Sequence, residues 1–192
     1  MQRITYKRNR WTKEQLDYLK ANINDPDQMY IHARTIRFKV HDHRHLVCAF
    51  PKADPSNRLL REACPGSTQI IQAMGRSEAL KPIQTPGNGS CWALAFLLAT
   101  IGNHNQLLVH ELRLSCLVYL LIHEDDIVTA AQEREICVDI KQDILDLTSH
   151  SAVRKRPKSK DCSVLESEGF GSWVALFCLS KMFDVKIYLR CK

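Results

Sequence analysis

Residues 86–98 read PGNGSCWALAFLL, a glycine-rich turn that leads through a cysteine into an apolar run. The two glycines allow positive φ angles and a close approach of the backbone to a ligand. The residues after Cys91 are strong helix formers, with no proline or β-branched residue before Thr100. The pattern predicts that Cys91 lies at the N-terminus of a helix that ends near Ile101.

A cysteine at a helix N-terminus has the surroundings of a nucleophile. The unpaired N–H groups and the positive end of the helix dipole favour the thiolate over the thiol. The same N–H groups can bind a developing oxyanion. The structural alternative is that Cys91 is a small apolar residue that begins a core helix, because free cysteine is among the most buried residue types.

Three blocks of the chain resemble the ovarian-tumour (OTU) family of cysteine proteases. Residues 85–92 (TPGNGSCW) are similar to its nucleophile motif, in which Asp-Gly-Asn-Cys precedes a bulky apolar residue and a helix. Leu112 and Arg113 are similar to the family's leucine-arginine helix. Residues 170–180 (FGSWVALFCLS) have the spacing of its Trp-Gly-Gly, Glu-Leu and Ala-Leu-Ser block. The resemblance covers roughly residues 83–190.

The resemblance implies an α/β (α+β) papain-like fold of the OTU type, helix-rich with a small sheet and without the family's C-terminal strands. In that fold the Cys91 helix is central, the 170–180 segment packs beside it, and residues 185–189 form a strand. Five positions depart from the family's usual residues: Asn88 stands in place of Asp, Ser90 of Asn, Phe170 of Trp, Ser172 of Gly and Ala175 of Glu. A degenerate, vertnin-like member of the same fold is also similar on the Leu-Arg and Ser-x-Trp stretches.

The resemblance also assigns roles in a candidate site. Cys91 is the nucleophile, and the backbone N–H groups of Cys91 and Asn88 form the oxyanion hole. A cysteine protease needs a general base as well. The family's base is a histidine on a strand beyond the one that ends here at Leu189, and none of the eight histidines follows His150. We therefore identify no general base in this chain.

Three functions are consistent with these observations. The first is an OTU-like deubiquitinase, an isopeptidase on ubiquitin or ubiquitin-like conjugates, that is catalytically incomplete here because the base is absent. The second is a non-catalytic OTU-like module that binds ubiquitin or another protein. The third is a vertnin-like nuclear factor associated with DNA.

Composition narrows the class of protein. The chain has 192 residues, of which 45% are hydrophobic, enough for one well-buried domain. It has no apolar run of membrane-spanning length and no apolar segment behind the basic N-terminus, which predicts an intracellular protein of the cytoplasm or nucleus without a membrane partner. The eight cysteines are widely spaced without a Cys-x-x-Cys pair, so we expect neither structural zinc, nor a disulfide framework, nor a cofactor.

The net charge of +6 is concentrated in the first 13 residues and in residues 154–160 (RKRPKSK). Such patches meet anionic partners, and nucleic acid is one of these. The second patch has the composition of a nuclear-localisation signal or a nucleic-acid contact, and the alternative is a solvated loop. We expect residues 151–163 to form an exposed mobile loop.

The pattern divides the chain into an N-terminal extension, residues 1–80, and an OTU-like domain, residues 81–192. In the extension we predict a helix from Thr12 to Asn22 with Thr12 as its N-cap, a β-hairpin of residues 30–40 and 46–50, and two short helices at 57–63 and 68–74. The hairpin turn would place three histidines on one face of a strand, where they could bind a metal; the alternative is an exposed polar turn. These histidines are His41, His43 and His45.

In the OTU-like domain the apolar spacing predicts helices over residues 107–122, 126–147 and 171–183. The last helix turns Leu176, Leu179 and Phe183 inward. His110 and His123 lie at the two ends of the first of these helices, and we expect surface histidines there rather than catalytic ones. The charged residues of the second are expected to face solvent: Glu133, Arg134, Glu135, Asp139, Lys141 and Asp143.

Overall fold

The computed structural model describes residues 2–49, 91–101, 106–149, 173–185 and 187. At residues 2–6, 41–49, 91, 98–101, 106 and 107 it describes the course of the backbone alone. The described residues form helices α1 (Gln2–Ala21), α2 (Pro26–Ala49), α3 (Cys91–Ile101), α4 (Gln106–Ile122), α5 (Glu124–Gln132), α6 (Ile140–Thr148) and α7 (Trp173–Phe183).

Helix α4 lies at the centre of the described structure and packs against each of the other six helices. Its buried side chains occur on every side of the helix, among them Leu112, Leu114, Leu117 and Leu120. A helix that is apolar all round is stable only where other elements surround it. The prediction that the Cys91 helix is central is therefore wrong for the described residues, because α4 occupies the central position.

One apolar core joins the first two helices to the later ones. From α1 it takes Leu16 and Leu19, and from α2 it takes side chains at helical spacing. Phe96 of α3 contacts Phe183 of α7, with ring centroids 4.9 Å apart. The buried residues of α2 are Met29, Ala33, Ile36 and Val40.

The predicted α/β papain-like fold with a small sheet is wrong for the part of the chain that the structure describes, because those residues contain no β-strand. Helix α7 ends at Phe183, and Asp184 follows in the left-handed region with φ of 51°. Of the predicted strand 185–189, Val185 and Ile187 are described, and both lie outside any strand. A short apolar run does not by itself distinguish a strand from other buried structure, and a strand needs a partner to pair with.

The predicted β-hairpin is also wrong, because residues 26–49 form the continuous helix α2. Its start has two helix signals. The Asp25 carboxylate accepts a hydrogen bond from the backbone N–H of Gln28 at 3.0 Å, and Pro26 is the first helical residue. The alternation of Ile36, Phe38 and Val40 indicated a strand, but Phe38 is exposed and the buried side chains follow the helical period.

The helical path of residues 41–45 removes the predicted histidine turn. On a helix, residues two apart point in nearly opposite directions, whereas residues four apart share a face. The strand on which the three histidines were expected to share a face is therefore not formed, and their side chains lie outside the part that the structure describes.

Two further helix predictions are corrected. Helix α1 begins at Gln2, so Thr12 is a buried residue inside it and not an N-cap. The single helix predicted for residues 126–147 is divided into α5 and α6 by a turn that contains Glu135 with φ of 54°. Asp139 caps α6 by accepting a hydrogen bond from the N–H of Gln142. Asp143, expected to face solvent, is 5% exposed.

Three helix predictions agree with the structure: Cys91 to about Ile101, residues 107–122 and residues 171–183 correspond to α3, α4 and α7. In α7, Leu179 is buried, and Leu176 and Phe183 pack partly buried against the core.

Four predicted features lie outside the described residues: the short helices at 57–63 and 68–74, the loop 151–163 and the basic residues 154–160. None of the described helices is both long enough and apolar enough to span a membrane.

Candidate functional site

Cys91 is the first residue of α3. The side chain of Cys91 and the whole of Asn88 lie outside the described residues, so the nucleophile and the oxyanion hole stay predictions. The next residue, Trp92, is 8% exposed and belongs to the core. The backbone at position 91 therefore lies next to a buried anchor of α3.

Arg113 of the leucine-arginine pair is a buried link between three helices. Its side chain is 1% exposed, and its Nη1 donates hydrogen bonds to the backbone carbonyl oxygens of Asp146 and Ser149, both at 2.7 Å. These carbonyls lie at the C-terminal end of α6, where helical carbonyls lack partners within the helix. The Arg113 guanidinium carbon also lies 5.9 Å from the centroid of the Trp92 ring. Arg113 thus joins α3 and α4 to α6 and contributes to the fold.

The third motif block is described from Trp173 onward, and Phe170 and Ser172 lie outside the described residues. Trp173 and Phe177 contact each other one turn apart, with ring centroids at 4.9 Å. Ala175, which stands where the family has a glutamate, is 2% exposed, and its carbonyl oxygen lies 3.8 Å from the Cys116 Sγ. This part of α7 is a packing surface against α4.

Two cysteines of this region are unsuited to nucleophilic chemistry. Cys116 and Cys178 are both fully buried. Burial raises the pKa of the Cys116 thiol well above its ordinary value, and the neighbouring Cys178 raises it further. Burial also raises the pKa of Cys178, and the Asp143 carboxylate adds to this. Because a thiolate is the reactive form, these two thiols are inert in the folded protein.

A groove of about 490 Å³ opens between α2, α4 and α7. We call it the α2–α4–α7 groove. One stripe of α4 forms the floor of the groove. The groove was not predicted from the sequence. Its lining residues are Arg37, Phe38 and Val40 of α2, Glu111, Leu112, Ser115, Val118, Tyr119 and Ile122 of α4, His123, and Lys181, Met182 and Phe183 of α7.

The rim of the groove is cationic. The Arg37 guanidinium carbon lies 4.4 Å from the centroid of the Phe38 ring, and the Lys181 Nζ lies 5.4 Å from that of Phe177. In the described part of the chain neither Arg37 nor Lys181 forms an ion pair with a carboxylate. Both charges are therefore available to an acidic group that approaches the groove.

One carboxylate of the groove, that of Glu111, already has a cationic partner. The Arg8 Nε lies 2.5 Å from the Glu111 Oε1. Burial raises the pKa of Glu111, and the Arg8 guanidinium opposes this effect by stabilising the carboxylate. The ion pair joins α1 to α4 and reduces the negative charge that Glu111 presents to the groove.

The far end of the groove has a polar pair, Tyr119 of α4 and His123, the residue that follows α4. The rings of Tyr119 and His123 are stacked with centroids 4.4 Å apart, and the His123 Nδ1 lies 3.4 Å from the Asp126 Oδ2. Burial raises the pKa of Tyr119. On the groove floor, the Ser115 hydroxyl donates a hydrogen bond to the Glu111 carbonyl oxygen at 2.8 Å, an arrangement common for serine within a helix. Among the described residues that line the groove there is no cysteine.

Among the described side chains, no group of three or more His, Cys, Asp or Glu residues is placed to bind a metal ion.

Comparisons with protein-family models, with curated proteins and with solved structures found no match for this chain. The resemblance to OTU proteases therefore depends on the three sequence blocks alone.

Proposed function

We propose that this chain is a non-catalytic OTU-like module that binds ubiquitin or a ubiquitin-like protein inside the cell. The α2–α4–α7 groove carries the proposal, because it is open, mainly apolar and built on the central helix. The partner class comes from the OTU-like sequence blocks. The groove supplies the surface on which such a partner can bind without a catalytic thiol.

The chemistry of the groove defines the part of the partner that binds there. Leu112, Val118 and Ile122 form an apolar floor, which favours an apolar patch on the partner. Arg37 and Lys181 at the rim favour carboxylates at the border of that patch. Since exposed charges are screened by salt, the affinity is expected to fall moderately as the ionic strength rises.

Filling the groove tests the proposal. Ser115 lies on the groove floor and is only partly buried, so Ser115→Trp places a large ring in the groove. Isothermal titration with ubiquitin should show an affinity at least about tenfold lower for this variant, the effect of about 1.4 kcal/mol of lost binding free energy. Thr129→Trp, at an exposed position of α5, is the matched control and should bind as the unmodified chain does.

Circular dichroism distinguishes a blocked groove from an unfolded chain, since both variants should keep the helical signal. Absence of ubiquitin binding in the unmodified chain would refute the ubiquitin part of the proposal. Equal binding by Ser115→Trp and the unmodified chain would refute the groove as the binding surface.

A second candidate, an OTU-like thiol hydrolase, is favoured by one observation: α3 begins at Cys91. A thiol in the first turn of a helix has its thiolate stabilised by the helix dipole. Limited treatment with iodoacetamide followed by mass spectrometry should then show Cys91 alkylated ahead of Cys116 and Cys178. A ubiquitin-chain cleavage assay is run in parallel, with Cys91→Ala as the control.

The proposed binding module predicts preferential labelling of Cys91 without cleavage. Cleavage that disappears in Cys91→Ala would replace the binding proposal with the hydrolase. A Cys91 no more reactive than the buried thiols would favour the structural interpretation of the motif.

A further inference from the structure

Five exposed side chains form one face of α2 on the side opposite its buried residues, and two of them, Arg37 and Phe38, also border the α2–α4–α7 groove. We call this face the outer face of α2. It consists of Tyr30, Ile31, Arg34, Arg37 and Phe38. Because successive residues of an α-helix are rotated by about 100°, these five positions lie within an arc of about 120°. The apolar members are unusually accessible, with Tyr30 41%, Ile31 57% and Phe38 68% exposed.

Each aromatic ring of the outer face has an arginine beside it. The Arg34 guanidinium carbon lies 5.7 Å from the Tyr30 ring centroid, and its Nη1 lies 3.4 Å from the Tyr30 hydroxyl. The Arg37 guanidinium carbon lies 4.4 Å from the Phe38 ring centroid. The sequence of α2 has no acidic residue between Asp27 and Asp42, so no carboxylate of this stretch neutralises the two arginines.

We propose that the outer face of α2 binds single-stranded nucleic acid, with bases stacked on Tyr30 and Phe38 and phosphates paired with Arg34 and Arg37. Exposed aromatic rings interspersed with cations are the combination by which proteins bind single strands without reading their sequence. The two rings lie eight residues apart, about 12 Å along the helix axis, a distance that a few nucleotides of an extended strand can cover.

A single strand fits this face better than a duplex does. Bases in a duplex are stacked on each other, and their edges are recognised by polar side chains in the grooves. Apart from its two arginines the outer face of α2 offers the rings of Tyr30 and Phe38 and the aliphatic Ile31, which contact the faces of unpaired bases. None of its five residues belongs to the two basic stretches noted in the sequence, residues 1–13 and 154–160.

Fluorescence anisotropy with the full chain tests the proposal through two labelled probes of equal charge. One probe is a twelve-nucleotide oligothymidylate, and the other is an abasic oligonucleotide of the same length. Stacking contributes about 1–3 kcal/mol per base, so the oligothymidylate should bind about tenfold or more tightly than the abasic strand. Tyr30→Ala should bind the oligothymidylate about tenfold more weakly than the unmodified chain does.

Arg34→Glu should weaken the binding of both probes, and Lys20→Glu is its matched control, because Lys20 is an exposed cation at the end of α1. Tyr30 and Arg34 do not line the α2–α4–α7 groove, so these variants should leave ubiquitin binding unchanged. The two proposals can therefore fail independently.

Equal affinity for the abasic and base-bearing probes would overturn the proposal, because it would show attraction to phosphate alone. Equal loss of affinity in Arg34→Glu and Lys20→Glu would also overturn it, since the net charge and not the outer face would then explain binding. Competition by poly-glutamate as strong as that by unlabelled oligothymidylate would identify an acidic protein segment as the ligand instead.

Discussion

The Nη1 of Arg113 lies 2.7 Å from the carbonyl oxygen of Ser149, the residue that follows the last turn of α6. A motif arginine, which the sequence placed in a leucine-arginine helix, is thus a buried cap for a neighbouring helix. A buried charge of this kind is stable because its hydrogen-bond partners are preorganised carbonyl groups.

Arg113→Met should lower the free energy of unfolding by about 2–3 kcal/mol, because hydrogen bonds to a charged group are lost and two carbonyl oxygens lose a donor. Urea unfolding followed by circular dichroism measures the change. Arg10→Met is the control, since Arg10 is exposed and pairs with Glu14 on the helix surface, and it should change stability by less than about 0.5 kcal/mol. Equal effects of the two substitutions would contradict the capping role.

Asp25→Ala should destabilise the protein by about 1 kcal/mol, because Asp25 caps the start of α2 through the Gln28 N–H. Asp25→Asn keeps an accepting oxygen at this position and should be close to neutral. Thermal unfolding of the two variants measures the difference. The hairpin that the sequence suggested has no cap at this position, so equal stability of the two variants would count against helix α2.

Glu111 should make the folded state lose stability as the pH rises. Burial places the pKa of Glu111 in the folded state above its ordinary value of 4.5, so the folded state binds the proton more tightly than the unfolded chain. That contribution is present at low pH and is lost as the pH rises through the ordinary value towards the folded pKa. Unfolding by urea between pH 4 and pH 8 is compared for the unmodified chain and Glu111→Gln.

The stability of the unmodified chain relative to Glu111→Gln should therefore decline with rising pH. A relative stability that increases with pH would mean that the Arg8 ion pair outweighs burial, because the folded pKa would then lie below that of the unfolded chain.

Cys116 and Cys178 should resist alkylation in the folded protein, whereas Cys137, which is exposed in the turn before α6, should react. Burial both blocks access and raises the pKa of the two buried thiols. Mass spectrometry after a short pulse of iodoacetamide gives the order of labelling, and the same pulse in urea should label all three. Rapid labelling of Cys116 without denaturant would show that the α4–α7 interface opens readily.

Helices α3, α4 and α7 could be predicted because their apolar runs are long, whereas α5 and α6 were predicted as one helix. The apolar run after Cys91 and the run that begins near Leu107 are longer than typical strands, so a buried helix is the regular structure that fits them. The centre of the fold could not be predicted in the same way. Both α3 and α4 are rich in apolar residues, and the choice between them depends on which helices surround each one.

Helix α2 shows why a local pattern failed. Ile36, Phe38 and Val40 alternate as a strand would, yet the longer series from Met29 to Val40 has the helical period and includes Ile36 and Val40. The Asp25-Pro26 start signal is also present in the sequence. The longer period and the cap together favour the helix.

The α2–α4–α7 groove could not be predicted, because its walls come from helices that are far apart in the chain. Phe38 and Lys181 meet at one opening only after both helices have packed on α4. Cys91 is the opposite case, since its position at the start of α3 follows from a local motif. Its chemical role depends on neighbours that a local motif does not specify.

The most direct test of the binding proposal is an NMR titration of the isotope-labelled chain with unlabelled ubiquitin. We predict that the amide signals of Ser115, Val118 and Lys181 shift as ubiquitin is added, while those of α5 and α6 on other faces of α4 stay in place. No shifts at saturating ubiquitin, or shifts confined to residues outside the α2–α4–α7 groove, would contradict it.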